Sequence, residues 1–335
     1  MKKTLILILS AFAFISCNTS DNNSNYLIVG YFPSYNHSAN ADLCRWDMTH
    51  VNLSFATVNA DGTLNEGDVR HSYPSVAKHC RENGVKMMVS LGGGGPKEEQ
   101  DAFAYAVIND ESREALIKNT MALVEELGLD GVDIDYEAWH YPQSYIDSIV
   151  PALEKLFVGF RKALGKKKEL SSAVAIYGLD ANGYTKATME SMDYMTIMAY
   201  DLTGWSSVMG PHSPFSYVKE GCEKALQHGA RPDQIVVGVP FYGRGWHNLE
   251  LDKMYGGRYS KIVKDNPGAE HRNELYGENG EAEFWYDGFP AIDEKFAYIK
   301  ENGFRGFMFW ELTGDSPDDD KSLLLHINKI LKSGK

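Results

Sequence analysis

The sequence predicts an α/β protein of the (β/α)8 barrel class, and three observations carry that expectation. Eight short, mostly continuous apolar runs recur along the chain with helix-like stretches between them. Such runs mark parallel strands buried on both faces, whereas half-exposed strands alternate. Glycine punctuates the ends of the helical stretches, at Asn83-Gly84, Leu127-Gly128, Leu164-Gly165, His228-Gly229 and Asn302-Gly303. A left-handed residue stops a helix cheaply when it is glycine, and a strand begins soon after each of these. The chain of 335 residues also suits one closed barrel. An open doubly wound sheet is the alternative, but the first strand is not followed by a glycine-rich dinucleotide turn.

The strands are expected at Leu27–Phe32, Val51–Val58, Val85–Leu91, Gly131–Tyr136, Leu170–Ile176, Tyr194–Tyr200, Ile235–Pro240 and Gly306–Trp310. Helical periodicity covers Ser112–Leu127, Ser144–Leu164, Tyr217–His228, Ile292–Glu301 and Leu323–Leu331. Between the seventh and eighth strands, from about Trp246 to Glu283, the rhythm breaks into a stretch rich in Gly, Asn, Glu and Tyr. It reads as a short insertion on the barrel rim within a single domain of residues 26–335.

The amino terminus reads differently. Met1-Lys2-Lys3 precedes an apolar run from Leu5 to Ile15, too short to span a bilayer. Residues 1–16 are an expected export signal. Phe14-Ile15-Ser16-Cys17 resembles a loose lipoprotein-processing motif, so lipid attachment at Cys17 is expected, with the polar stretch to Asn25 as a tether. That places the protein at the cell envelope or surface, held to the membrane only by the lipid. An ordinary cleaved signal is the alternative. The remaining Cys44, Cys80 and Cys222 are an odd number with no metal-site spacing, and Cys44 and Cys80 pair only if neighbouring elements bring them together. No metal or cofactor is implied. A formal charge of −13 disfavours nucleic acid and anionic membranes as partners. A neutral polysaccharide remains compatible, and a monomer is expected.

Asp130-Gly131-Val132-Asp133-Ile134-Asp135-Tyr136-Glu137 is the most informative stretch. On a strand, Asp133, Asp135 and Glu137 share one face while Val132 and Ile134 pack on the other. Crowded carboxylates cannot all ionise freely, so at least one keeps a proton near neutral pH, as general acid catalysis requires. The alternative is a calcium-binding or solvated acidic loop, against which the apolar interleaving argues. Asp130, opposite in parity, is assigned a structural role at the strand start. On a barrel of this class, polar residues at carboxyl-terminal strand ends are the functional candidates. These ends carry Ser90-Leu91-Gly92-Gly93, Met198-Ala199-Tyr200-Asp201 and Trp310-Glu311, so acids, tyrosine and tryptophan converge at one mouth. Aromatic faces suit the apolar faces of sugar rings. The run Gly92 to Gly95 is weak as a phosphate loop and reasonable as a tight turn beside a ligand.

These residues resemble glycoside hydrolase family 18, the chitinase and endo-β-N-acetylglucosaminidase family, over essentially the whole chain after the tether. The signature DGxDxDxE is complete at Asp130 to Glu137, SxGG at Ser90 to Gly93 and MxYD at Met198 to Asp201. Gly238 to Arg244 resembles the family's seventh strand, and Trp310 its eighth-strand tryptophan. The resemblance implies cleavage of β-1,4-linked N-acetylglucosamine chains with retention, using the substrate's own 2-acetamido group as nucleophile. Glu137 would be the proton donor. Asp135 would hold the acetamido N–H, and Asp133 would share a proton with Asp135, helped by Tyr31 and Ser90. Tyr200, Asp201, Met198 and Trp310 would bind the sugar, with Tyr242 and Phe55 as further substrate-binding candidates.

Two departures shape the expectation. Gly94 stands where the family often carries an aromatic, leaving Trp139 or Tyr141 to stand in as an acceptor-side platform. The insertion looks short, which predicts a shallow, open groove. N-glycan cleavage at the chitobiose core is the neighbouring reading. A non-catalytic glycan-binding lectin is the reading from another class, and such members generally lose the acid that Glu137 supplies.

Overall fold

The computed structural model describes residues 26–139, 141–204 and 208–333. The signal-like segment, Cys17 and the tether lie outside the described residues.

Strand β1 (Leu27–Pro33) leads to β2 (His50–Val58), which folds back onto the two-residue β3 (Leu64–Asn65) as a raised hairpin. Helix α1 (Gly67–Asn83) returns the chain to β4 (Lys86–Gly92), and α2 (Lys97–Ile108) and α3 (Asp110–Leu127) carry it to β5 (Gly131–Asp135). Next come α4 (Gln143–Leu164), β6 (Glu169–Ala175), the short α5 (Ile176–Asp180) and α6 (Lys186–Ser191), β7 (Tyr194–Met198), α7 (Phe215–Gln227) and β8 (Ile235–Pro240). Left-handed glycines close α1, α3 and α9 (Phe289–Asn302), at Gly84, Gly128 and Gly303. The glycine reading of helix ends therefore rests on backbone geometry at those positions.

All eight barrel strands are parallel, in the order β1-β13-β8-β7-β6-β5-β4-β2, where β13 is Gly306–Trp310. Pairing of β1 with both β13 and β2 closes the cylinder. A closed barrel leaves no unpaired edge among these strands. Helix α10 (Leu323–Ser333) completes the outer layer.

Alternate residues of each strand serve two cores. Val132 and Ile134 of β5 join Leu53, Val89 and Ile197 in the layer between barrel and helices. Val29, Tyr31, Met88, Tyr194, Val236 and Met308 fill the barrel interior. Each buried aliphatic side chain contributes roughly 1.5–3 kcal/mol. A one-residue slip of β5 would exchange its carboxylates with this apolar layer, so the register is strongly specified.

The insertion between β8 and β13 is longer and more ordered than its composition suggests. It runs from Tyr242 to Tyr286 and folds as a four-stranded antiparallel sheet, β10-β9-β12-β11. Its strands are β9 (Tyr242–Trp246), β10 (Met254–Arg258), β11 (Glu274–Tyr276) and β12 (Ala282–Tyr286), with helix α8 (Tyr259–Asp265) following β10. The sequence conceals β9 because Gly243 and Gly245 occupy the positions where apolar residues would alternate. A Cβ at Gly243 would lie 2.3 Å from the Phe284 ring, so close packing requires glycine there. The sheet stands beside the mouth of the barrel as one wall of the cleft. Cys44, Cys80 and Cys222 are all free thiols.

Candidate active site

Strand β5 presents its acids as its parity predicts. Asp133 is fully buried inside the barrel. Its Oδ2 accepts hydrogen bonds from the Tyr31 hydroxyl (2.8 Å) and Ser90 Oγ (2.7 Å), and its Oδ1 accepts from Ser171 Oγ (2.6 Å). Burial pushes the Asp133 carboxyl above the usual range while these three hydroxyls pull it down. Ser90 therefore does not line the cleft and acts through Asp133. Ser171 was not legible as a site residue because its partnership comes from the β5–β6 register. Asp130 accepts the Met87 backbone N–H at 2.8 Å, which fixes the strand start.

One layer up, Asp135 is buried and its Oδ1 has no hydrogen-bond partner. Burial, then the charges of Glu137 and Asp133, raise it well above the usual carboxylate range. Glu137 lies two residues beyond the end of β5, half-buried at the floor of the cleft. Burial first, and the charge of Asp201 second, lift its carboxyl to about 7. A carboxylic acid still protonated near neutrality faces the cleft, above a buried acid with an uncommitted oxygen.

Asp201 is held ionised from the opposite side. It follows β7 in a left-handed conformation (φ 61°), which asparagine and aspartate tolerate better than most residues. Three groups converge on its Oδ1: the Tyr242 hydroxyl at 2.6 Å, Arg244 Nη2 at 2.8 Å and His212 Nδ1 at 3.4 Å. Burial works against ionisation, but His212, Arg244 and Tyr242 together hold the carboxyl below its usual range. Arg244 ends the motif already read at β8, whereas His212 is brought in from the segment before α7 and left no local signal. Tyr200 and Met198 line the cleft beside them, and the nearest partner of the Tyr200 hydroxyl is the Met308 sulfur at 3.8 Å.

The cleft has a volume of about 1150 Å³. Trp310 forms part of its floor, stacked on Phe55 (centroids 5.6 Å apart, planes 14° apart) and tilted against Tyr31. Phe55 is stacked in turn on the exposed Tyr35. Glycines let the β4 loop close on the site. Gly92 and Gly93 have positive φ, and a Cβ at Gly94 would stand 3.1 Å from Glu137 Oε1.

The structure also corrects the expectation for the acceptor side. Trp139 is not a sugar platform: it is buried against Gly178 and Gly183, with Nε1–H donating to the Tyr136 carbonyl at 3.1 Å. Tyr141 bonds Asp101 and packs on Tyr145, outside the cleft lining. Tyr177 and Tyr217 supply the aromatic surface on that side. Among the described residues no cluster of three His, Cys, Asp or Glu side chains is placed to hold a metal ion.

A closed barrel with acids stacked on one strand beneath an aromatic-floored mouth defines a (β/α)8 protein of the glycoside-hydrolase type. The chain belongs to the glycosyl hydrolases family 18, whose model matches residues 27–315. Chitinase A1 of Niallia circulans is 24% identical over 93% of this chain, which spans 59% of that protein's length. The crystal structure of a chitinase from Bacteroides thetaiotaomicron superposes with a TM-score of 0.76 at 26% identity, covering 92% of this chain and 97% of that one. The chitinase-like agglutinin RobpsCRA from Robinia pseudoacacia shares the fold, with a TM-score of 0.74 at 22% identity, covering 90% of this chain and 99% of its own.

Proposed function

We propose that this protein is an endo-acting chitinase that cleaves β-1,4 linkages of N-acetylglucosamine chains with retention, through the substrate's 2-acetamido group. The observation that carries the reading is Glu137, present at the mouth with its carboxyl near 7 above the partly unpartnered Asp135.

The sugar to be cleaved lies over Trp310, with its acetamido group between Tyr200 and Asp135. Glu137 gives its proton to the glycosidic oxygen as the bond from that oxygen to the anomeric carbon breaks. The acetamido carbonyl oxygen bonds to the anomeric carbon, forming an oxazolinium ion. Asp135, sharing a proton with Asp133, accepts the acetamido N–H and offsets the positive charge. The Glu137 carboxylate then takes a proton from water, whose oxygen opens the ring on the original face. Buried acids are costly to keep, and their retention here supports a chemical role over a purely binding one.

Products from chitohexaose, analysed by mass spectrometry, test the reading. Wild type should release chitobiose and chitotriose, and Glu137→Gln should lose roughly 10³-fold or more of the rate, the scale of a missing general acid. Near-normal hydrolysis by that variant would remove Glu137 from the mechanism. An untouched chitohexaose with glycans released from an N-glycoprotein would move the activity to chitobiose cores.

A further inference from the structure

Among the described residues two cationic side chains line the cleft, and they differ in what they hold. Arg244 is committed to Asp201 at 2.8 Å. Arg258 is half exposed, and its nearest carboxylate, Glu311, stands 3.8 Å from Nε. Both Glu311 oxygens already accept hydrogen bonds from Thr313. The Nη donors of Arg258 have no hydrogen-bond partner among the described residues, so they are free to meet a ligand.

The backbone of this arginine is fixed. Arg258 is the last residue of β10, paired with Tyr242 of β9, and it caps the start of α8. Its charge reaches Tyr35 and Glu311, which line one end of the cleft. That end is defined by the barrel. Strand β13, carrying Trp310, lies four strands from β5 in either direction, diametrically opposite Glu137. Under the proposed function, the leaving group departs on the Glu137 side, past Gly94 and Glu99. The donor chain continues beyond Trp310 toward Glu311, Arg258 and Tyr35.

Among the described residues, every other acidic or basic side chain lining the cleft, apart from Arg244, is a carboxyl: Asp68, Glu99, Asp201 and Glu311, with Asp135 and Glu137 favouring their protonated forms. With a chain of net charge −13, this field attracts ammonium groups of a partly deacetylated polymer. Chemistry demands an acetyl group only on the sugar over Trp310, because that sugar supplies the nucleophile. Beyond it, an acidic cleft alone would favour glucosamine.

We propose that Arg258 is a specificity-determining residue that reverses this preference, selecting N-acetylated over deacetylated sugar in the donor positions beyond Trp310. A guanidinium at this position repels an ammonium and donates hydrogen bonds to an acetamido carbonyl or hydroxyl. A half-screened charge pair a few ångströms apart is worth about a factor of ten.

This inference rests on the chitinase reading, and the experiment separates the two. Partially N-acetylated chitosan is digested, and the products are sequenced from the new reducing end by tandem mass spectrometry. Wild type should deplete glucosamine roughly tenfold at the one or two positions next to the reducing-end sugar. Arg258→Gln should bring the glucosamine content of those positions up to or above that of the polymer, and Arg258→Glu should enrich them further. An unchanged composition in Arg258→Glu overturns the proposal while leaving the chitinase reading standing. Calorimetric titration reads the same contrast without turnover, comparing Glu137→Gln with Glu137→Gln/Arg258→Glu. The preference for chitotetraose over its fully deacetylated counterpart should fall about tenfold in the double variant, and an unchanged preference overturns the proposal independently of catalysis.

Discussion

Asp201 holds a negative charge against Glu137 and, after burial, is what lifts the Glu137 carboxyl to about 7. The two acids are tuned apart: three partners keep Asp201 ionised, while Glu137 has a low-dielectric site that favours its proton. Opposite protonation states in neighbouring carboxyls keep the proton on the one that must donate it.

The first prediction concerns pH. The first step needs Glu137 protonated, so kcat/KM on chitotetraose should fall as pH rises through about 7. Asp201→Asn removes the charge that raises Glu137, so the alkaline limb should move to lower pH, whatever happens to the absolute rate. A limb that stays in place would mean that Asp201 does not set the acidity of Glu137.

The parity of β5 was legible because Val132 and Ile134 must face the helix layer, which leaves Asp133, Asp135 and Glu137 no choice of side. Trp310, Tyr200 and Asp201 were legible because each sits at or just after the end of an apolar run that could only be a barrel strand. Long-range partnerships were not. Ser171 meets Asp133, and His212 meets Asp201, through strand register and loop return, which no local pattern encodes. The insertion sheet was hidden for a different reason. Its strand β9 uses Gly243 and Gly245 where Phe284 packs tightly, so hydrophobic alternation is missing although the strand is formed. Arg258 was invisible with it, since its meaning depends on where β10 ends.

Trp139 carries the second prediction. Its indole fills the space above Gly178 and Gly183, and its backbone N–H donates to the Glu137 carbonyl at 3.1 Å. Trp139→Ala should cost about 3–5 kcal/mol in urea unfolding, as for other large buried aromatics, and should lower kcat by displacing Glu137. A sugar platform would behave otherwise, raising KM for long oligosaccharides with stability intact. The two readouts, taken together, decide between pillar and platform.

The third prediction follows from the buried ion pair of Lys295 and Asp287. Both side chains are almost fully withdrawn from water, with Nζ 2.5 Å from Asp287 Oδ2. Lys295 also donates to Ser213 Oγ at 2.7 Å, and Ser213 donates to the Ala199 carbonyl at 2.9 Å. Helix α9 is thereby tied to the residue preceding Tyr200 and Asp201. Removing one partner strands a charge in the interior, so Lys295→Met should destabilise by about 3–5 kcal/mol. Replacing both, as Lys295→Met with Asp287→Leu, should recover most of that loss, because apolar side chains of similar volume need no compensating charge. Stability and activity should then separate. The double variant refolds the core but leaves Ser213 without its cationic donor, so the turn bearing Tyr200 and Asp201 loses a tether. Unfolding near the wild-type midpoint, with kcat still reduced severalfold, would establish that the pair serves the site as well as the fold. A double variant with wild-type kcat would confine Lys295 to stability alone.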